Sequence, residues 1–227
     1  MKNIKLFTAF IIVILSFQSI AQISINAGTG VLKGFTVPKP FFGFHGGIEL
    51  PRSNDVTLYG RIGYYFPQKE EDKFSTYVTA NDVSTNPYTL TVDYVSKTNY
   101  FMIEGGTRRY LGNDYDNGFS LYGGTNFMIL FNTVKRDYEK YDATGQYQWE
   151  SKYQTLPNEQ NKGNILSLAA GLQGGLKYTL PATGTFYFDI NGQYALFGKA
   201  NNVTASNSNL YSQLFFTFNV GFRKDLY

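Results

Sequence analysis

Few side chains in this 227-residue chain could carry covalent or metal chemistry, and their spacing narrows the options further. His45 is the sole histidine and cysteine is absent, so a His/Cys metal cluster or a Ser/His/Asp relay would hinge on one imidazole. The expected role of His45 is a polar residue bonded to a neighbour such as Glu49 or Arg61. Glu70-Glu71-Asp72, between Lys69 and Lys73, could ligate calcium, but the spacing matches no EF-hand loop. Mixed signs in a Pro-bounded stretch fit a solvated loop instead. The pairs Gly46-Gly47, Gly105-Gly106, Gly123-Gly124 and Gly174-Gly175 open no helix after a strand, which a phosphate cradle requires; relief of crowding in a curved sheet is the expected reason for them. No catalytic residue, metal site or cofactor is expected.

The elements that would position these residues follow from patterning. Residues 1–21 read as a secretory signal, with Lys2 and Lys5, an apolar run over 6–17 and Ser19-Ile20-Ala21 as a small-x-small cleavage site, so the mature chain is expected at 22–227. The apolar run falls short of the ~20 residues a spanning helix needs. Without the two leader lysines, 18 of the 20 basic residues face 17 acidic ones, a balance that argues against nucleic acid as a partner. An exported chain without cysteine has no disulfide to stabilise it, and aromatics at 18% favour pleated strands.

Period-two alternation recurs eight times, over 23–31, 41–50, 56–66, 98–111, 118–131, 165–180, 185–197 and 214–222. One face of each stretch is apolar, as in Leu214, Phe216, Phe218, Val220 and Phe222. Short Gly/Pro/Asn/Asp turns (51–55, 112–117, 181–184) alternate with longer connections (33–40, 67–97, 132–164, 198–209), so long and short ends segregate to opposite sides of an up-and-down sheet. Spanning strands need ~9 to 11 residues, and hydrocarbon requires a closed sheet because it pairs no backbone group. The expectation is an all-β protein: an eight-stranded antiparallel up-and-down transmembrane β-barrel in the outer membrane, with both termini periplasmic and aromatic girdles at the two interfaces.

The faces opposite the apolar ones carry His45, Glu49, Arg61, Glu104, Arg108, Gln173, Lys177, Asp189, Asn191, Gln193, Gln213, Asn219 and Arg223. An eight-stranded interior is just wide enough to be filled by side chains, so these charges should pair there. Glu49, Glu104 and Asp189 stand against Arg61, Arg108, Lys177 and Arg223, which predicts a packed polar core in place of an open pore. Further alternating stretches at 74–79, 88–95 and 134–149 could extend the hairpins beyond the membrane, with strand edges able to capture a partner. Trp149, Tyr138, Tyr141, Tyr147 and Tyr153 would be the aromatic contacts there, Trp149, Tyr138 and Tyr147 foremost.

The signal ending Ala21-Gln22, the eight-strand layout and the last strand Phe216-Thr217-Phe218-Asn219-Val220-Gly221-Phe222-Arg223 running to Tyr227 resemble small outer-membrane barrels of the OmpA/OmpX kind, and more closely PorT-like proteins of bacteria that use type IX secretion. The resemblance covers the mature chain and implies no catalytic motif. It implies that the terminal aromatic strand is read by the barrel-insertion machinery. Alternation from Phe222 would put Lys224 on the lipid face and Tyr227 inside, so a bulge or frayed end near Lys224-Asp225 is expected.

The expected function is a non-enzymatic barrel with interaction or secretion-accessory loops, its partners being outer-membrane lipid, the insertion machinery and a protein at the extracellular loops. A small-solute channel is one rival, distinguished by conductance. A lipid-modifying enzyme is another, but it would need serine and histidine together on the lipid-facing wall, whereas His45 lies on the polar face with no serine after it until Ser53.

Overall fold

The computed structural model describes residues 23–69, 74–112, 114–139, 145–149, 162–201 and 212–226. The leader, its cleavage site, Glu70-Glu71-Asp72, Lys73, Tyr141, Tyr153 and Tyr227 lie outside the described residues, as does the side chain of Trp149. Ten strands follow in order: β1 (Ile23–Gly34), β2 (Phe41–Pro51), β3 (Val56–Lys69), β4 (Phe74–Ala80), β5 (Thr89–Leu111), β6 (Gly118–Tyr138), β7 (Tyr147–Trp149), β8 (Lys162–Leu180), β9 (Gly184–Ala200) and β10 (Leu214–Leu226).

Eight of them close a ring. Every pairing is antiparallel, and the order β1-β2-β3-β5-β6-β8-β9-β10 returns to β1 through Ile23↔Leu226 to Gly34↔Phe215. Each strand pairs with its sequence neighbours in the ring, which is an up-and-down barrel. β4 and β7 lie outside it: β4 pairs with the first part of β5, and β7 pairs with β4, so a small sheet rises from the long-loop end. β5 and β6 run well past the expected 98–111 and 118–131 because their alternation continues into this sheet up to Tyr94↔Tyr138.

Alternation decides which side chains face out. Along β6, Phe119, Leu121, Phe127, Ile129 and Phe131 are exposed while Ser120, Tyr122, Asn126, Met128 and Leu130 are buried. The same holds around the ring, with Phe44, Ile62, Ile103, Leu172, Ile190 and Val220 outward. At a tilt of ~40° and ~3.4 Å per residue, Phe119 to Phe131 spans about 30 Å of barrel height.

Two expectations are corrected here. The β1–β10 register passes through Ile25↔Lys224 and Ser24↔Asp225 without a bulge, so Lys224 does sit on the outer face. Its four-carbon stem solves the problem by folding back, and Nζ donates to the carbonyls of Ala182 (2.8 Å) and Thr183 (3.0 Å) in the adjacent turn. Gln213 precedes β10 and is exposed, so it belongs to the long-loop end and not to the interior.

Candidate functional site

Strands β2, β3, β5, β9 and β10 bring the ionised side chains together in the half of the barrel nearer the short turns. Glu104 on β5 accepts from Arg61 Nη2 (2.8 Å), Tyr59 Oη (2.7 Å) and Asn126 Nδ2 (2.8 Å). Arg61 reaches on to Asp189 of β9 (3.2 Å), which also accepts from Arg108 Nη2 (3.0 Å) and Asn219 Nδ2 (2.7 Å). Arg108 in turn donates to Glu49 of β2 (2.7 Å), which accepts from Thr57 and Tyr110 as well, each at 2.5 Å. The sequence Glu104–Arg61–Asp189–Arg108–Glu49 is therefore a continuous chain of alternating charge across the bore, and every member is buried.

Arg223 of β10 completes the set, 3.5 Å from Glu49 and donating to the Tyr115 carbonyl at 2.6 Å. Three carboxylates thus meet three guanidiniums. The fourth base, Lys177, leaves this network: its Nζ donates to the carbonyls of Asp114 (2.7 Å), Asn117 (2.5 Å) and Gly118 (3.3 Å), tying β8 to the β5–β6 turn. His45 also differs from expectation. Its Nε2 meets the Tyr187 hydroxyl at 2.8 Å, and neither Glu49 nor Arg61 bonds it. A tyrosine across the bore reaches it because Tyr187 extends over Gly221, where an added Cβ would come within 2.5 Å of the ring.

Aromatic rings fill the space between charges. The Arg108 guanidinium lies over Tyr59 (4.4 Å to the centroid) and Tyr122 (5.0 Å), a cation–π arrangement in which the ring replaces lost water. Tyr122 in turn occupies the room left by Gly175, where a Cβ would meet its Cζ at 2.4 Å. The inward member of each glycine pair (Gly47, Gly106, Gly124 or Gly175) is crowded, and the outward member is not.

The half nearer the long loops is different and was missed in the sequence. Leu32, Phe41, Tyr65, Tyr100, Met102, Met128, Leu130, Ala169, Ala195 and Phe215 form one buried apolar cluster inside the barrel, capped by Val37 from the β1–β2 connection. That connection is held over the mouth by Phe35 N–H donating to the Leu214 carbonyl (2.8 Å), and Lys33 Nζ donates to its carbonyls at Val37 and Pro38. The signal was present, since Tyr100 and Met102 on β5 and Met128 and Leu130 on β6 are apolar at positions facing away from the apolar outer stripe. Both ends of the bore are thus occupied by side chains.

In the protruding sheet, Tyr138 and Tyr147 are half-buried. They pack with Leu90 against Val78 and Val92, and the Tyr147 hydroxyl donates to the Pro87 carbonyl at 2.8 Å. The Trp149 backbone pairs with Val78. Among the described residues, the exposed large side chains there are Tyr77, Val83 and Tyr88, which sequence reading did not single out. Among the described residues no group of three or more His, Cys, Asp or Glu side chains could hold a metal ion.

At the short-turn end, Ser53 Oγ donates to Asp55 at 2.8 Å and holds its carboxyl below the usual carboxylate range, with Arg109 3.5 Å away as a further contribution. Burial pushes the Tyr115 phenol in the next turn up to about 12.

No protein-family model matches the chain, and no curated protein matches it. Among solved structures it is similar to a major outer membrane protein from Thermus thermophilus, with 11% identity and a TM-score of 0.47, covering 90% of this chain and 98% of that one. It is also similar to Neisserial surface protein A, at 12% and 0.44, covering 89% and 94%. A third is the N-terminal β-barrel domain of Pseudomonas aeruginosa OprF, at 16% and 0.41, covering 89% and 97%.

Proposed function

We propose that the chain is an integral outer-membrane barrel, sealed and non-enzymatic, whose protruding sheet serves contact with a partner or an accessory role beside a secretion system, as the PorT-like resemblance suggests. One observation carries the membrane reading. A ring with no open edge has large apolar side chains outward on all eight strands, over a height of about 30 Å, which matches the hydrocarbon core. Soluble monomers rarely expose a contiguous apolar patch beyond a few hundred Å².

The sealed reading is supported by the two fillings of the bore, ionic below and apolar above. The interaction reading is supported by the sheet itself, where β7 is the outermost strand among the described residues, beside β4, and Tyr77 and Tyr88 are exposed. In this proposal residues 1–21 are removed on export, the short turns and both termini face the periplasm, and β10 carries the insertion signal.

The test begins with cell fractionation and planar bilayers. Recovery in the outer-membrane fraction, no steady conductance and an unchanged lipid A and phospholipid profile on deletion are the expected results. Single-channel steps would overturn the sealed bore, and recovery of a cooperatively melting protein from the detergent-free soluble fraction would overturn the whole reading. Crosslinking of intact cells with Tyr77 or Tyr88 replaced by a photoreactive residue tests the sheet; the interaction role fails if no protein is captured.

A further inference from the structure

At the short-turn end, β10 outruns the strand beside it. Its pairing with β9 stops at Arg223↔Thr185, while its pairing with β1 continues to Leu226↔Ile23. The β8–β9 turn borders the overhang, and positive φ at Ala182 (60°) and Gly184 (143°) reverses the chain tightly there. The β5–β6 turn reaches the same place from across the ring. Arg223 Nη2 donates to the Tyr115 carbonyl at 2.6 Å and its guanidinium lies 5.1 Å from the Tyr115 ring, so Asp116 is delivered beside β10 although β6 pairs only with β5 and β8. Between these elements is a cavity of about 250 Å³, whose lining includes Asp116, Asp225, Lys224, Leu180 and Pro181.

The charged groups of this lining are two carboxylates and one ammonium. Asp225 Oδ1 accepts from Ser24 Oγ at 2.5 Å and stands 3.5 Å from Arg223 Nε, contacts that leave Oδ2 aside. Asp116 is exposed, and its carboxylate makes no hydrogen bond or ion pair among the described residues. The two lysines close by are committed elsewhere. Lys224 Nζ gives two of its three N–H groups to the carbonyls of Ala182 and Thr183, and Lys177 Nζ donates to those of Asp114, Asn117 and Gly118. Both ammoniums therefore meet carbonyl oxygens, and Asp116 keeps its charge for something else. Leu180, Pro181 and the Lys224 stem supply apolar wall beside it.

We propose that this pocket binds an alkylguanidinium or alkylammonium group, whether on a free solute or on a basic side chain. A planar guanidinium can give paired hydrogen bonds to carboxylates while its stem lies on an apolar wall. The volume is that of roughly eight waters at ~30 Å³ each, room for the head and stem of an arginine side chain. A divalent metal is a poorer match, because among the described residues no three His, Cys, Asp or Glu side chains come together. The site does not depend on the membrane reading. With the short turns periplasmic, as proposed above, the ligand would come from that compartment.

The experiment uses the mature protein in phosphatidylcholine nanodiscs and follows the backbone amide NMR signals of Ala182, Thr183 and Gly184 during titration with butylguanidinium or with butylurea, its uncharged isostere. Saturable shifts are expected with the cation and none with the urea, and the binding should weaken as salt screens the carboxylates. Asp116→Asn removes no bond among the described residues, yet it is expected to weaken binding at least about tenfold because a charge-assisted hydrogen bond to the ligand is lost. Asp114→Asn, in the same turn and also exposed but outside the pocket lining, is expected to leave binding unchanged. Equal shifts with both probes or an unchanged Asp116→Asn protein would overturn the proposal. So would an equal loss in Asp114→Asn, which would reduce the site to a general acidic surface. A capped Gly-Arg-Gly peptide separates the sources: binding like that of butylguanidinium assigns the pocket to a basic side chain, and binding of the free cation alone assigns it to a solute. A wild type that folds in the discs but ignores the cation sinks the pocket and leaves the membrane reading standing.

Discussion

The two halves of the bore solve the same packing problem by opposite means. Near the short turns, the space is filled by six paired charges and the tyrosines between them; near the long loops it is filled by Leu32, Phe41, Tyr100, Met102, Met128, Leu130 and Phe215. Burying charge is unfavourable unless each group is paired, so the lower half holds together as a set and tolerates no single loss. The apolar half is additive, each side chain contributing its own area and its own contacts. The barrel therefore has one region whose stability is cooperative and one whose stability is distributed.

The largest expected effect tests the cooperative side. Asp189→Ala leaves Arg61 and Arg108 facing each other without the carboxylate between them, and should cost about 3–5 kcal/mol in urea unfolding from lipid vesicles. A loss under about 1 kcal/mol would show that the ionic half is not a unit. In the apolar half, Phe215→Ala should cost about 3 kcal/mol, and combining it with Leu130→Ala should give a nearly additive sum unless the two cavities merge.

Gly175→Val brings a side chain into the Tyr122 ring and the Phe188 carbonyl, both within 2.5 Å of its Cβ, and should lose about 1–3 kcal/mol. Restoring most of that loss with Tyr122→Ala would tie it to the ring, and no rescue would tie it to the backbone. Two hydroxyl deletions, one in each half, make the sharpest contrast. Tyr110→Phe removes a hydroxyl that donates to Glu49 at 2.5 Å and should cost about 1.5–3 kcal/mol. Tyr65→Phe removes a buried hydroxyl with no partner among the described residues, so it should change stability by less than about 0.5 kcal/mol or raise it. Equal costs for the two substitutions would erase the distinction between the halves.

Much of this was legible in the residue order, because a strand reports its two faces separately. Phe42, Phe44 and Ile48 on one side of β2 and His45 and Glu49 on the other can hardly be read any other way. The apolar half was harder to see: Met102 and Met128 are apolar on a face whose other members are polar, and period-two counting averages along a strand where the bore changes character partway. Lys224 shows the same limit. Alternation correctly put it outside, but only the position of the β8–β9 turn reveals where its ammonium goes.

By itself, then, the sequence determined the number of strands in the ring, the inward and outward faces and the segregation of long and short connections, all consequences of alternation and turn chemistry acting within a few residues. Tertiary structure alone decided which charge meets which. Arg61 could have paired with any of three carboxylates, and its position between Glu104 and Asp189 depends on register, shear and tilt across the ring, as does the meeting of His45 with Tyr187. Contacts across a closed sheet join residues far apart along the chain, and no local pattern encodes that distance.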